Sequence, residues 1–335
     1  MTSAQGPASV DAGAGPSTPR RGRAHVVLGV TAAVLVLLTA VYLFGNRDTG
    51  LINQAIVTGL LLGGVYALVS IGLTLIFGVL GIVNFAHGAM LTMALYLVYF
   101  MASSLGMPVY VATVVAVPIM FAFGFAVQVG LMSRLTMSGS HEGPLLITLG
   151  LSLLIANVLL MIFGGRPKSV SGGVEGSITA FGAVASYSRV IAFVGAVLVA
   201  LCLTLALTKT SFGLSIRAVA ANSQGAELVG VNVRRVYGYT FGIGAACVAV
   251  AGGLMAPFLS LTPSVGEQFT ILAFVIVVLG GLGSVVGAMF GGLIIGLVQT
   301  VGALYLPGTG SLILVFVVFV LVLFFRPQGL FGAKQ

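Results

Sequence analysis

Residues 51–79 read LINQAIVTGLLLGGVYALVSIGLTLIFGV, a stretch that contains no Asp, Glu, Lys or Arg. A membrane-spanning helix needs about 20 consecutive apolar residues, so this stretch can cross a bilayer with a tilt or a break. Similar runs fill most of the chain, in which apolar residues make up 59% and charged residues only 6%. An average globular chain is roughly a quarter charged. The sequence therefore predicts an all-α, polytopic membrane helix bundle and excludes a soluble fold.

The apolar runs predict about nine or ten transmembrane helices. The candidate spans are residues 26–44, 51–79, 85–103, 109–132, 144–164, 188–208, 236–260, 267–281, 284–305 and 311–325. The spans 267–281 and 311–325 are the shortest and are candidates for half-spans. We expect residues 51–335 to form one transmembrane domain.

The basic residues predict the orientation, because Lys and Arg accumulate on the cytoplasmic side of membrane proteins. With the N-terminus in the cytoplasm, the inner set is Arg20, Arg21, Arg23, Arg134, Lys209, Arg217, Arg234, Arg235, Arg326 and Lys334. The outer set is smaller and consists of Arg47, Arg166, Lys168 and Arg189. Both termini are therefore predicted to be cytoplasmic.

The first 50 residues differ from the rest of the chain. Residues 1–24 are rich in Gly, Ala, Ser, Pro and Thr, a composition that buries too little apolar surface to fold, so we expect a disordered cytoplasmic tail. Arg20, Arg21 and Arg23 then precede the apolar run within residues 25–50, as the basic start of a secretory signal precedes its apolar core. The run at 26–44 is longer than the usual signal core of about 7–15 residues, which favours an uncleaved additional span.

The chain lacks the usual motifs of an enzyme or a motor. It has no G-x-x-x-x-G-K-[ST] phosphate-binding loop, and Cys202 and Cys247 show no metal-ligand spacing. None of the six acids lies in the middle of a predicted span, which argues against a carrier driven by protons or voltage. The net charge of +8 orients spans and does not indicate nucleic-acid binding. We predict no catalytic residue, no metal and no cofactor, and expect any ATP hydrolysis to reside in another subunit.

The motif Val-Asn-Phe-Ala-His-Gly, residues 83–88, lies at the predicted cytoplasmic junction of the second and third spans. Asn84 and His87 are three residues apart and can share one side of a helical turn. One interpretation places both along a translocation path or gate. The other makes Asn84 a helix cap and His87 a partner in an interhelical hydrogen bond.

The longest polar interruption runs from Lys209 to Arg235 and carries Arg217, Glu227 and Gly230. Its Ala and Leu residues favour helix, and Gly230 is suited to end a short one. Short amphipathic helices in a cytoplasmic loop can dock on a soluble partner. An ordinary connection lying on the membrane surface is the alternative, and composition alone does not separate the two.

Gly283, Gly287 and Gly291 are spaced four apart, which predicts one helix face made of glycine. Such a face allows another helix to approach closely. Static packing is the favoured interpretation over a moving or pore-lining contact.

The chain resembles the integral membrane permease subunit of the branched-chain amino acid ABC importers, the high-affinity leucine/isoleucine/valine systems. The resemblance runs from about Leu51 to Gly332 and is carried by residues 63–68 (GGVYAL), 72–78 (GLTLIFG), 83–88 (VNFAHG), 217–222 (RAVAAN), 227–232 (ELVGVN) and 280–284 (GGLGS) with Gly287. The first 50 residues depart from the family pattern as an added segment.

The resemblance implies a set of partners and a mechanism. An extracytoplasmic binding protein delivers a small-molecule substrate, two permease subunits form the path, and two cytoplasmic ATPase subunits drive it. Residues 209–235 become the coupling loop, in which Arg217, Glu227 and Gly230 match the family's coupling block. A sister chain is favoured as the second permease subunit. The alternatives are a urea or short-chain amide permease of the same architecture and, from another class, a stand-alone secondary transporter.

Overall fold

The computed structural model describes residues 49–133, 142–306 and 308–331. The predicted tail and the predicted span at 26–44 lie outside these residues and stay predictions. In chain order the helices are α1 (Thr49–Leu80), α2 (His87–Ser104), α3 (Val109–Ala126, continued by a π-helical stretch Val127–Met132), α4 (Glu142–Phe163), α5 (Tyr187–Lys209), α6 (Ser211–Ala221), α7 (Ser223–Leu228), α8 (Val233–Met255), α9 (Val265–Gly280), α10 (Val285–Tyr305) and α11 (Gly310–Phe325). A hairpin of β1 (Ser177–Ala180) and β2 (Ala183–Ser186) lies between α4 and α5.

All helices except α6 and α7 coincide with the nine spans predicted in this range, so the all-α membrane fold is confirmed. Among the described residues, six helices are long and apolar enough to cross a bilayer by themselves: α1, α3 with its extension, α4, α5, α8 and α10. Because α9 and α11 have only 16 residues each, they are about 24 Å long at ~1.5 Å per residue. That is shorter than the ~30 Å hydrocarbon core of a bilayer.

The connections between helices gather at two ends of the bundle. At one end, Asn53 on α1 donates to the Phe181 carbonyl of the hairpin at 3.0 Å. There the chain segments at Lys168 and Leu261 also pair through two backbone hydrogen bonds. At the other end, α6 and α7 lie beside the end of α1 and the start of α10. We call the first the hairpin end and the second the basic end; the positive-inside rule predicts that the basic end is cytoplasmic.

The centre of the bundle is α1, which makes its most extensive contact with α10. The two backbones touch through glycine: a Cβ atom added to Gly63 would lie 2.8 Å from the Leu293 Cα, and one added to Gly292 would lie 2.5 Å from the Ala67 nitrogen. In contrast, α4 and α5 turn much of their surface outward, where Met161, for example, is 85% exposed. The outer helices therefore present an apolar surface suited to lipid.

The structure corrects the prediction for Gly283. This residue lies in the turn before α10 and has φ at 80°. The Ser284 hydroxyl accepts the Gly287 N–H at 3.1 Å, so Ser284 is the N-cap and the helix begins at Val285. Gly287 and Gly291 do lie on α10 and face α9. A Cβ added to Gly287 would overlap the Gly280 carbonyl, and one added to Gly291 would lie 3.0 Å from the Ile276 carbonyl oxygen. The packing role assigned to these glycines stays a prediction.

Gly292→Val should destabilise the bundle, because the added side chain must push the backbones of α1 and α10 apart. Overpacking of a tight contact costs about 1–3 kcal/mol or more. We expect a lower midpoint of thermal unfolding in detergent, measured by size-exclusion chromatography of a fluorescently tagged protein. Gly150→Val on α4 is the matched control, since nothing lies within 4 Å of a Cβ added there. Equal midpoints for the two variants would contradict the close α1–α10 contact.

Candidate functional site

The segment between α1 and α2 returns into the bundle. His87, the first residue of α2, places its Nε2 2.8 Å from the Val69 carbonyl oxygen. Val69 lies well before the end of α1 at Leu80, a separation of about 16 Å at ~1.5 Å per residue. The intervening residues 81–86 have no regular structure up to Asn84 and can reach about 20 Å when extended. The motif was predicted at the cytoplasmic junction; it lies instead deep in the bundle.

Asn84 orders this segment but does not cap α2. Its Oδ1 accepts the Ala86 N–H at 3.0 Å, and its carbonyl accepts the His87 N–H at 3.3 Å. The residue that precedes the helix is Ala86, which has no side-chain cap. These two hydrogen bonds therefore stabilise a local turn that leads the chain into α2.

Asn84 and His87 are both fully buried and both keep a polar atom without a hydrogen-bond partner among the described residues. These atoms are the Asn84 Nδ2 and the His87 Nδ1. A buried polar group without a partner costs about 1–3 kcal/mol, and most buried polar groups in proteins are paired. The cost is explained if these atoms bind water or a solute at some stage of the protein's cycle.

The first turns of α2 and α9 meet beside this motif. The Gly88 N–H donates to the Thr270 Oγ1 at 3.0 Å, and a Cβ added to Gly88 would overlap the Gly266 carbonyl. From this contact α2 runs towards the hairpin end and α9 towards the basic end. The N-terminus of a helix carries a partial positive charge. Two such ends inside the bundle resemble the broken helices that form solute sites in membrane transporters.

The second predicted site, residues 209–235, forms a helical cap on the basic end. Thr210, Asn222 and Asn232 each accept a backbone N–H three residues ahead, at 3.0, 2.9 and 3.0 Å, and so start α6, α7 and α8. The inner side of α6 buries Ile216 and Val219 in a cluster with side chains of α1, α5 and α8. This cluster fixes α6 firmly to the spanning helices.

Arg217 is an exposed residue whose guanidinium folds back onto the end of α5. One of its guanidinium nitrogens donates to the Leu207 carbonyl at the end of α5, and the residue lines a cavity against α1. Glu227 is exposed on α7, and Gly230 has φ at 88° in the turn that follows. All three residues of the predicted coupling set are exposed at the basic end, and their role in coupling stays a prediction.

Two apolar side chains at the end of α7 were not predicted as site residues. Leu228 is 89% exposed and Val229 is 79% exposed, although both lie at the basic end. Composition contained the signal, since an apolar pair in a polar cytoplasmic loop is unusual, but only the structure shows that the pair faces outward. Large exposed apolar side chains at such a position are typical anchors for a protein partner.

Across the described ranges, no group of three or more His, Cys, Asp or Glu side chains comes together in a way that would hold a metal ion.

Comparison with known proteins agrees with this architecture. The sequence model of the family described as "Branched-chain amino acid transport system / permease component" matches residues 55–323. The chain is 32% identical to the high-affinity branched-chain amino acid transport system permease protein BraD of Pseudomonas aeruginosa, over 84% of this chain and 96% of that protein.

Two further relatives extend the match. The chain is 31% identical to the corresponding permease protein LivH of Escherichia coli, over the same shares of both chains. It is 27% identical to a probable branched-chain amino acid permease of Methanocaldococcus jannaschii, over 79% of this chain and 88% of that protein. No solved structure matches the chain.

Proposed function

The chain belongs to the permease family of branched-chain amino acid transport systems, and we propose that it is the membrane-spanning subunit of an ATP-driven importer of leucine, isoleucine and valine. The observation that carries this proposal is identity of 31–32% over 96% of the length of permeases whose names state that substrate. The protein is a multi-pass protein of the cell membrane. As a transport subunit it carries no catalytic residue; ATP is hydrolysed by two cytoplasmic ATPase subunits.

The substrate path passes the motif of Asn84 and His87. Support comes from the depth of this motif, from its two unpartnered polar atoms, and from the meeting of α2 and α9 beside it. A zwitterionic amino acid needs hydrogen-bond donors for its carboxylate, and no Lys or Arg is among the buried residues in the part of the chain that the structure describes. Helix N-termini and neutral side chains fill that role without the cost of burying a charge.

His87→Leu and Asn84→Leu should each lower the initial rate of leucine uptake about tenfold or more, the effect of losing one or two bonds to a charged group. The assembled complex should persist, because leucine fills the buried space without a polar atom. Uptake of labelled leucine and the amount of complex in the membrane are measured together.

Thr240→Val is the control for that experiment. Thr240 is as buried as His87, but its hydroxyl donates to the Val236 carbonyl of its own helix at 2.8 Å. We expect this variant to transport normally. If Asn84→Leu and His87→Leu both transported leucine normally, Asn84 and His87 would be packing residues outside the substrate path.

The coupling loop, residues 209–235, docks on an ATPase subunit. The docking anchor is the exposed end of α7, where Leu228 and Val229 enter an apolar part of the ATPase cleft and Glu227 meets a basic side chain at its rim. Gly230 lets the chain turn back towards α8. Arg217 supports this surface from behind by holding α6 to the end of α5. A second permease subunit, favoured to be a sister chain, and an extracytoplasmic binding protein complete the transporter.

Leu228→Asp and Glu227→Arg should each uncouple the transporter. Both side chains are exposed, so neither change should alter the fold, and any loss reflects docking. We expect ATP hydrolysis stimulated by loaded binding protein to fall about thirtyfold, in line with the loss of one interface anchor of ~2 kcal/mol. Leu228→Met, which keeps an apolar side chain, should retain activity. Wild-type stimulation in Leu228→Asp would place the docking surface elsewhere.

The substrate itself is tested by uptake of labelled leucine and labelled urea in cells with and without the gene. The proposed function predicts that deletion abolishes leucine uptake only and that the plasmid-borne gene restores it. Loss of urea uptake alone would keep the architecture and replace the substrate. If uptake of both compounds were unchanged, co-purification of an ATPase with this chain would decide whether it is a subunit of an ATP-driven importer.

A further inference from the structure

The strands β1 and β2 are joined by a tight turn whose first residue is strained. The turn consists of Phe181 and Gly182, with φ angles of 55° and 75°. Two-residue hairpin loops with two positive φ angles are type I′ turns, which favour Asn, Asp or Gly because a bulky side chain clashes with the backbone in this region. Among the described residues, Phe181 is the one residue other than glycine with a positive φ. The turn therefore holds a phenylalanine where the backbone alone disfavours one.

Packing within the chain does not explain this phenylalanine, because Phe181 is 89% exposed. Val184, half exposed on the outer face of β2, extends the apolar surface beside the turn, whereas Ala183 and Ala185 on the other face are buried against the bundle. An exposed aromatic ring in a strained turn stabilises neither the turn nor the core. Exposed apolar groups of this kind are typical of a surface that a partner covers.

Two side chains of α1 hold the hairpin in place. The Asn53 Nδ2 donates to the Phe181 carbonyl at 3.0 Å. The Gln54 Nε2 donates to the Val184 carbonyl, and the Gln54 Oε1 accepts the Val184 N–H, both at 2.8 Å. The Gln54 amide thus pairs with the outer edge of β2 as a neighbouring strand would. Three hydrogen bonds therefore attach the exposed turn to the central helix of the bundle.

The position and the composition of the hairpin favour a protein partner over lipid. The hairpin lies on α1, which is enclosed by α5, α8, α9 and α10, so the turn stands over the bundle and not at its lipid-facing rim. Residues 176–188 contain no Lys, Arg or Trp, the residues that typically hold a peripheral element at a membrane surface. The hairpin end is the predicted extracytoplasmic end, where the proposed function places the binding protein.

We propose that Phe181 inserts into an apolar pocket of the extracytoplasmic binding protein and that the hairpin transmits this contact to α1. The inference rests on the proposed function, which requires such a partner. A force on the turn acts through Asn53 and Gln54 on the helix that also holds His87 through the Val69 carbonyl. Affinity and transmission therefore depend on different residues: the ring of Phe181 binds the partner, and the Gln54 amide connects the hairpin to α1.

Affinity is tested with Phe181→Asn in the whole transporter, reconstituted in nanodiscs, with leucine-loaded binding protein as the probe. Asn suits a positive φ, so the variant removes the ring and keeps the turn, and the midpoint of thermal unfolding should not fall. We expect binding measured by biolayer interferometry to weaken about thirtyfold, the usual effect of losing a central anchor. Phe324→Asn is the matched control, because Phe324 is 80% exposed at the opposite end of the bundle, and it should bind as the wild type does. Wild-type affinity in Phe181→Asn would overturn the inference.

Transmission is tested with Gln54→Met, which has a similar length but cannot pair with Val184. The binding protein should still dock, within about threefold of the wild-type affinity, because the ring remains. Stimulation of ATP hydrolysis by the bound protein should fall about tenfold, as expected for the loss of two hydrogen bonds. Full stimulation in Gln54→Met would show that the hairpin does not act through α1.

A third variant separates the binding protein from lipid as the occupant. The chain contains no Trp, so Phe181→Trp adds one indole whose emission is read as the difference from the wild-type transporter. We expect the emission of an indole in water, shifted to shorter wavelength when loaded binding protein is added. Quenching by brominated lipid before that addition would identify a membrane contact and overturn the inference. If the wild-type transporter neither bound loaded binding protein nor was stimulated by it, the proposed function itself would fail, which is a different result.

Discussion

The close approach of backbones around α1 is the constraint on which the rest of the structure depends. Within a bilayer the hydrophobic effect does not drive one apolar helix onto another, so association relies on tight packing and hydrogen bonds. Gly63 brings α1 against α10, and Gly72 brings it against the Gly244 carbonyl of α8 and the ring of His87. Larger side chains at these positions would separate α1 from both neighbours and from the central motif together.

The returning segment at 81–86 is possible only because this packing encloses it. Irregular backbone at membrane depth must be buried in protein or line a cavity, since lipid offers no hydrogen bonds. Contacts with Val69 on α1 and Thr270 on α9 provide that enclosure around the start of α2. The Asn84 Oδ1 and the His87 Nε2 each make a hydrogen bond there. The Asn84 Nδ2 and the His87 Nδ1 have no hydrogen-bond partner among the described residues. A bundle built only for packing would have apolar groups at these positions, and this supports the proposed substrate path.

The sequence predicted most of the fold because spans depend on local composition. Each helix from α1 to α11, apart from α6 and α7, starts and ends within a few residues of an apolar run. The depth of Asn84 and His87 was not predictable in this way, since a short polar motif between two runs is normally a surface loop. Gly283 was wrongly assigned to the helix because a spacing of four residues does not show where a helix begins. Ser284 is the N-cap of α10, so Gly283 lies before the helix. The exposure of Leu228 and the direction of Arg217 depend on tertiary packing, about which composition says nothing.

The helix α1 joins the two proposed functional regions. Near its middle, α1 holds His87 through the Val69 carbonyl; at its end, Leu75 and Val79 pack against the inner side of α6. The separation from Val69 to Val79 is about 15 Å along a single hydrogen-bonded helix at ~1.5 Å per residue. Close-packed interfaces move between discrete arrangements and do not deform smoothly. A displacement of α6 by the proposed ATPase partner must therefore either shift α1 as a body or break the cluster with Ile216. The first outcome moves the contact that positions His87, and in the proposed function α1 would thereby connect ATP hydrolysis mechanically to the proposed substrate path.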